Sequence, residues 1–258
     1  MDRIRLSFYI SNFFVMKALT LTLVLIVSSL TLVAGPDITV KTLELPSFHS
    51  VYVNSAYTVY IKQTNKQEVK VEALTEIYEI SEFKVEEGIL HINIKRKPDA
   101  NSKSLWAKID DIKISPTLNV KISMKDVKDL RGNGNGKIIG ENSIATPQLI
   151  LGVAGSGSLS LDVKGNEVNT KISGSGNIEL KGYASDNDVD ISGSGSLIAY
   201  ACELESSTVV LSGDGSCEIN VTDKLEANVY GSGSVKHKGS TKNVVKKEYG
   251  RGEVARAY

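Results

Sequence analysis

From Leu151 onward, apolar residues recur at every second position, and the alternation is broken at regular intervals by Gly-x-Gly. Two residues before the first glycine stand Val153, Ile172, Ile191, Leu211 and Val229. Two before those come Leu151, Thr170, Val189, Val209 and Ala227. Two after the second glycine come Leu159, Ile178, Leu197, Cys217, Val235 and Val254, followed by Leu161, Leu180, Ala199 and Ile219. Period-two alternation on both sides of a turn marks half-buried strands. The pattern predicts a unit of strand, Gly-x-Gly corner, strand and a more variable return.

The corners are Gly134/Gly136, Gly155/Gly157, Gly174/Gly176, Gly193/Gly195, Gly213/Gly215, Gly231/Gly233 and Gly250/Gly252. Their second members are 21, 19, 19, 20, 18 and 19 residues apart. A unit of that length is too short to bury its own apolar face, and stacked copies bury one another's. A propeller blade needs about 40 residues and a leucine-rich repeat has its own consensus. The fold class expected is therefore all-β, a parallel β-helix whose corner glycines form a structural ladder. Glycine there supplies positive φ and leaves no Cβ against the neighbouring rung. The middle residue of each corner, Ser156, Ser175, Ser194, Asp214 or Ser232, points outward on this reading. Asn135 and Arg251 hold the equivalent places in the end copies, where a solenoid is commonly capped.

Upstream of residue 126 the glycines are missing but strand patterns continue. In VYVNSAYTVYI, Val53 and Val59 show the same six-residue step as Ile172 and Ile178, so a degenerate corner is expected. FKVEEGILHINIK (Phe83–Lys95) reads as a hairpin turning near Glu86-Glu87-Gly88, and RKPDANSKS (Arg96–Ser104) as a polar loop. Met16-Lys17 precedes an uncharged run ending in small residues, the layout of a secretory signal peptide cut after Ala34 or Gly35. The alternative is a retained membrane anchor. The expected organisation is a leader over 1–35, with its start at Met1 or Met16. A capping or degenerate β region follows over 36–125, then β-helix repeats over 126–258.

The exported N-terminus, FHSVYVNSAYTVYIKQTNKQEVKVEA and the serial G-S-G corners together resemble the bacterial family described as "putative auto-transporter adhesin, head GIN domain", abundant in Bacteroidetes. The resemblance runs from about Pro46 to the end. It implies a β-helical fold and an envelope or surface location, and it carries no catalytic residues. GNGNG and GRG at the end copies and SGDG at a central one depart from the repeat.

Composition narrows the function classes. Thirty basic and thirty acidic groups in 258 residues leave no net field for nucleic acid or an anionic membrane. At 41% hydrophobic residues the chain is globular. Cys202 and Cys217 occupy different places in the repeat and read as buried thiols rather than a bridge. No phosphate-loop or dinucleotide fingerprint occurs, so no nucleotide is expected. Calcium-binding β-helices carry an Asp in every nonapeptide copy, whereas only Asp214 lies among these glycines. His49, His91 and His237 lack metal-ligand spacing, and His237 falls at an inward position. The repeated serines have no adjacent histidine to make one a nucleophile, and Trp106 reads as sealing an edge.

Beyond the corners, Glu179, Glu218 and Lys236, then Asp162, Lys181, Tyr200, Asn220 and Lys238, would line up as a mixed ladder on a solvated face. No catalytic, cofactor-binding or metal residues are assigned, and no cofactor is expected. The expected function is an exported, non-enzymatic envelope or surface protein, adhesin-like, with surface glycans or envelope proteins as partners. The alternatives are a periplasmic structural partner of an envelope complex, or a carbohydrate-active enzyme with a site on one face. Unpaired edges at open solenoid ends would also permit end-to-end self-association.

Overall fold

The computed structural model describes residues 37–95 and 117–257. The leader with Ala34 and Gly35, the loop 96–104 and Trp106 lie outside them. In chain order the elements are β1 (Ile38–Leu43), β2 (Ser50–Asn54), β3 (Thr58–Gln63), β4 (Glu68–Leu74), α1 (Thr75–Glu79), β5 (Ser81–Glu86) and β6 (Ile89–Ile94). They continue with β7 (Leu118–Met124), β8 (Asp129–Gly134), β9 (Lys137–Gly140), β10 (Ile144–Gly155), β11 (Ser158–Gly174) and β12 (Asn177–Gly193). β13 (Ser196–Gly213), β14 (Ser216–Gly231), β15 (Ser234–Lys238), β16 (Asn243–Gly250) and β17 (Glu253–Arg256) complete the chain.

The strands from β8 onward stack in parallel as a β-solenoid. Before the corners one inward column runs Val53, Gly132, Val153, Ile172, Ile191, Leu211, Val229 and Glu248. After them a second runs Val59, Ile138, Leu159, Ile178, Leu197, Cys217, Val235 and Val254. Each Val, Leu or Ile buried this way contributes about 1.5–3 kcal/mol. Alternation keeps the register, because a slip of one residue would turn every apolar side chain outward.

The return is itself strand. β11 to β14 are each hydrogen-bonded over 16 to 18 residues, from one corner to the next. The bend within a span comes from a break in parity: β11 buries Leu159, Leu161 and Val163, then Val168, Thr170 and Ile172. Unequal repeat lengths are absorbed by register shifts between Glu179 and Lys181 and between Ala199 and Ser206. Cys202 and Cys217 are buried and unbridged. Burial pushes the Cys202 thiol up to about 12 and raises that of Cys217 as well.

The segment Val53–Val59 is a corner without glycine. β2 pairs with β8 and β3 with β9, so Asn54–Tyr57 lies against the Gly134–Gly136 corner. β6 then covers β2 and β7 covers β3, both in parallel. β5 folds back on β6 as the expected hairpin, through Glu87 (φ 50°) and Gly88 (φ 76°), the paired left-handed residues of a tight hairpin turn. β4 and β1 add antiparallel strands on the β7 side. The five-residue α1 was not foreseen, because one turn is too short to show a helical period.

At the C-terminal end the alternation changes character. Lys246 and Glu248 occupy the inward positions that Ala227 and Val229 fill one rung earlier. The Lys246 ammonium lies 3.5 Å from Glu248 and donates to the Val254 carbonyl, while Glu248 accepts the Val254 amide at 2.8 Å. Both side chains are exposed at the open end, and charge on a sheet edge is a means by which native sheets resist edge-to-edge growth.

His237 is buried just inside that cap, its Nδ1 without a partner. Burial, Arg256 on β17 and Lys246 on β16 lower its pKa. The neutral form is the one the fold accepts, so its contribution is complete at neutral pH. As pH falls through the unfolded value of about 6.5, the unfolded chain binds a proton that the folded chain refuses, and stability is lost. Amides of β15 and β17 are expected to exchange faster at pH 5.5 than intrinsic rates account for. His237→Gln is expected to abolish that excess; an excess unchanged in the variant would remove His237 as its cause.

Candidate functional site

The corner ladder is the most regular surface feature. Gly155 lies against Gly134 and Gly174, and Gly174 in turn against Gly193, in a line that continues to Gly213, Gly231 and Gly250. The two glycines of a corner serve different ends. Gly155 has φ +108°, a region L-residues rarely adopt, and a Cβ on it would lie 2.7 Å from the Gly134 carbonyl oxygen. Gly157 has no positive φ, but a Cβ there would meet the Gly136 carbonyl oxygen at 2.6 Å. That carbonyl instead accepts the Ser158 amide at 3.1 Å, and the Gly134 carbonyl accepts the Ser156 amide at 2.9 Å.

The expectation that every corner glycine supplies positive φ is thus corrected for the second member of each pair. Like Gly157, the glycines Gly136, Gly176, Gly195, Gly215, Gly233 and Gly252 all lack it. What excludes a side chain from them is close approach alone. A Cβ on Gly176, Gly195, Gly215, Gly233 or Gly252 would lie 2.5–2.7 Å from the carbonyl oxygen of the second glycine one rung earlier. At Gly136, where the preceding corner has no glycine, the Ser55 carbonyl oxygen takes that place at 2.5 Å. These second glycines therefore form a ladder of their own beside the first. Between the two ladders Ser156, Ser175, Ser194, Asp214 and Ser232 are exposed.

On the face after the corners, Glu179, Ile198, Glu218 and Lys236 stand in register on successive rungs. The two glutamates are thus separated by an isoleucine rung. Lys181 lies 3.4 Å from Glu179, and the Lys238 ammonium sits 5.3 Å from the Tyr200 ring centre. Such exposed pairs contribute little, about 0–1 kcal/mol each.

The face before the corners is more structured, and its residues were not singled out in the sequence. Asp129 is 8% exposed and accepts two hydrogen bonds from Arg131, at 2.9 and 2.8 Å, and one from the Tyr52 hydroxyl at 2.9 Å. The Arg131 guanidinium lies over the Tyr52 ring, 5.0 Å from its centre, and His91 meets that ring edge-on. The hydrogen bond to Asp129 raises the Arg131 pKa, while burial and Asp129 raise that of Tyr52. His49 Nδ1 lies 2.9 Å from Ser50 Oγ, a serine–histidine contact outside the repeated serines. Ser50 is 3% exposed, so the pair offers no accessible nucleophile. An open depression of ≈ 500 Å³ borders His49, Tyr52, Asp129 and Ile150. A second, of ≈ 550 Å³, extends from Ile150 past Lys171 and Asp190 to Val210. The signal in the sequence was Gly152, at an outward position where other repeats carry Lys171, Asp190, Val210, Asn228 and Lys247.

Nearer the C-terminus, Tyr230 and Tyr249 stack with centres 4.9 Å apart and planes 3° from parallel. Among the described residues no three His, Cys, Asp or Glu side chains converge as a metal site requires. Among them, no helix is long and apolar enough to cross a membrane.

Comparison with solved structures finds the same architecture. A "putative adhesin" from Bacteroides fragilis superposes with TM-score 0.77 at 18% identity, covering 86% of this chain and 98% of the other. A "putative lipid binding protein" from Parabacteroides distasonis gives 0.68 at 19% identity, over 86% and 97%. A "putative adhesin" from Parabacteroides distasonis gives 0.65 at 22% identity, over 86% and 97%. The search among curated proteins found no match. The model of one family covers residues 47–241, from just before β2 to just before β16. The chain belongs to the family described as "Putative auto-transporter adhesin, head GIN domain".

Proposed function

We propose that this protein is exported, with its leader removed after Ala34 or Gly35, and acts at the cell surface as a non-enzymatic, adhesin-like binding module. The observation that supports this reading is the in-register stacking of outward side chains over successive rungs. Each rung repeats a polar position at about 4.8 Å along a hydrogen-bonded ladder. A surface of that kind suits many weak contacts made in parallel, where avidity replaces a deep pocket. The corner glycines hold the rungs in line and take no part in recognition.

Protease shaving of intact cells tests this reading. The chain is expected to be cut while a periplasmic marker stays whole. Protection until the envelope is opened would overturn surface display and favour a periplasmic structural partner of an envelope complex.

A further inference from the structure

The face before the corners carries a groove that runs along the solenoid axis. One outward column reads His91, Tyr52, Arg131, Gly152, Lys171, Asp190 and Val210. The neighbouring column reads Ser50, Asp129, Ile150, Asn169, Asp188 and Thr208. Gly152 contributes no side chain, and the stem of Arg131 leans towards the gap, with its Cγ 3.1 Å from where a Cβ would stand. A third, smaller depression of ≈ 180 Å³ at this dip shares Ile150 with both larger ones. The three depressions thus adjoin at Ile150 and together span Tyr52 to Val210, five rung steps or roughly 24 Å.

We infer that this groove binds a linear, uncharged glycan lying along the solenoid axis; the inference rests on the surface-binding reading above. Three features of the groove select that class. The main-chain groups beneath it are consumed by the ladder on both sides, so a peptide cannot add to it as a strand and the ligand must be read by side chains. Donors on Arg131 and Lys171 lie towards one end and acceptors on Asp188, Asp190 and Thr208 towards the other. Tyr52, Ile150 and Val210 supply apolar contact, and hydroxyl edges with C–H faces match that mixture. The charges nearly balance: Arg131 is matched by Asp129 and Lys171 lies 3.6 Å from Asp190, which leaves Asp188 as the one unmatched charge among these residues. A polyanion gains nothing from such a surface. A sugar unit is comparable in length to the rung spacing, so a linear chain meets similar contacts on successive rungs.

The test is calorimetric titration of the purified chain with oligosaccharides of two to six units from β-glucan, mannan and xylan, with a heparin hexasaccharide as the charged comparator. Saturable binding to at least one neutral series is expected, strengthening with length. Gly152→Asn fills the dip at a position where the Asn228 rung already carries that side chain, and is expected to weaken binding at least tenfold. Lys171→Ala, which adds no bulk, is expected to weaken it several-fold. Ser196→Asn on the opposite face, beside Asn177, is expected to bind as the parent does. No saturable binding to any neutral series, tighter binding of the heparin fragment, or undiminished binding by both groove variants would overturn the inference. Undiminished binding by both variants on a chain that shaving finds exposed would sink the groove and leave surface display standing. Binding by a chain that shaving finds protected would do the reverse.

Discussion

Gly193→Ala is expected to lower the stability of the solenoid by about 3–5 kcal/mol, among the largest effects of any single substitution in the chain. Two costs combine. Gly193 has φ +111°, where a non-glycine residue is strained by about 1–3 kcal/mol. Its new Cβ would lie 2.6 Å from the Gly174 carbonyl oxygen and 3.2 Å from the Gly174 nitrogen. Both are backbone atoms held in a ladder, so neither can swing aside as a side-chain tip would. The control is Ser194→Ala, one residue on and exposed, expected to stay within about 0.5 kcal/mol of the parent. Urea denaturation of both compares them directly. A Gly193→Ala midpoint equal to that of Ser194→Ala would mean the corner is not close-packed.

The second large effect is expected at Leu211→Ala, at about 2–5 kcal/mol. Leu211 is fully buried and sits between Ile191 on one rung and Val229 on the next. Removing its branch takes contact from both neighbours at once, and ladders on either side prevent the rungs from closing on the space. Val254→Ala, in the last rung, is expected to cost less, because Val254 has a packed neighbour on one side and is already 6% exposed. Denaturation midpoints of the two variants test the order. Equal losses would show that the stack closes around an internal gap as readily as at its end.

How much of this was legible follows from where the contacts lie. The column Val153, Ile172, Ile191, Leu211, Val229 could be read directly, because contacts between rungs repeat at the sequence period. The different needs of Gly155 and Gly157 could not, since composition does not separate positive φ from close approach. Lys246 and Glu248 broke the apolar alternation, and only the structure turns that break into a cap. The cluster on the face before the corners was least accessible. Tyr52 reaches Asp129 across 77 residues of sequence, and no local period relates β2 to β8. Of the columns singled out beyond the corners, Glu179, Glu218 and Lys236 line up as expected, whereas the second breaks at the bulges, where Lys181 pairs with Ala201 and Asn220 with Glu203 and Tyr200 drops out of register.

The two ends of the solenoid join it at different entropic cost. Between regular rungs the partners are close in sequence: Asn187 bonds to Val168, 19 residues away. The first corner is different, for Asn133 bonds to Asn54 across 79 residues. A loop about four times longer costs roughly 1.2 kcal/mol more to close, and distant pairings form later than near ones. As the chain is synthesised, β2 and β3 can pair with β6 and β7, but their other edges have no partner until β8 and β9 follow. The stack from β8 onward can zip rung by rung from its own near neighbours. Until β8 and β9 follow, β2 and β3 each keep one open edge, which they present to whatever else is nearby.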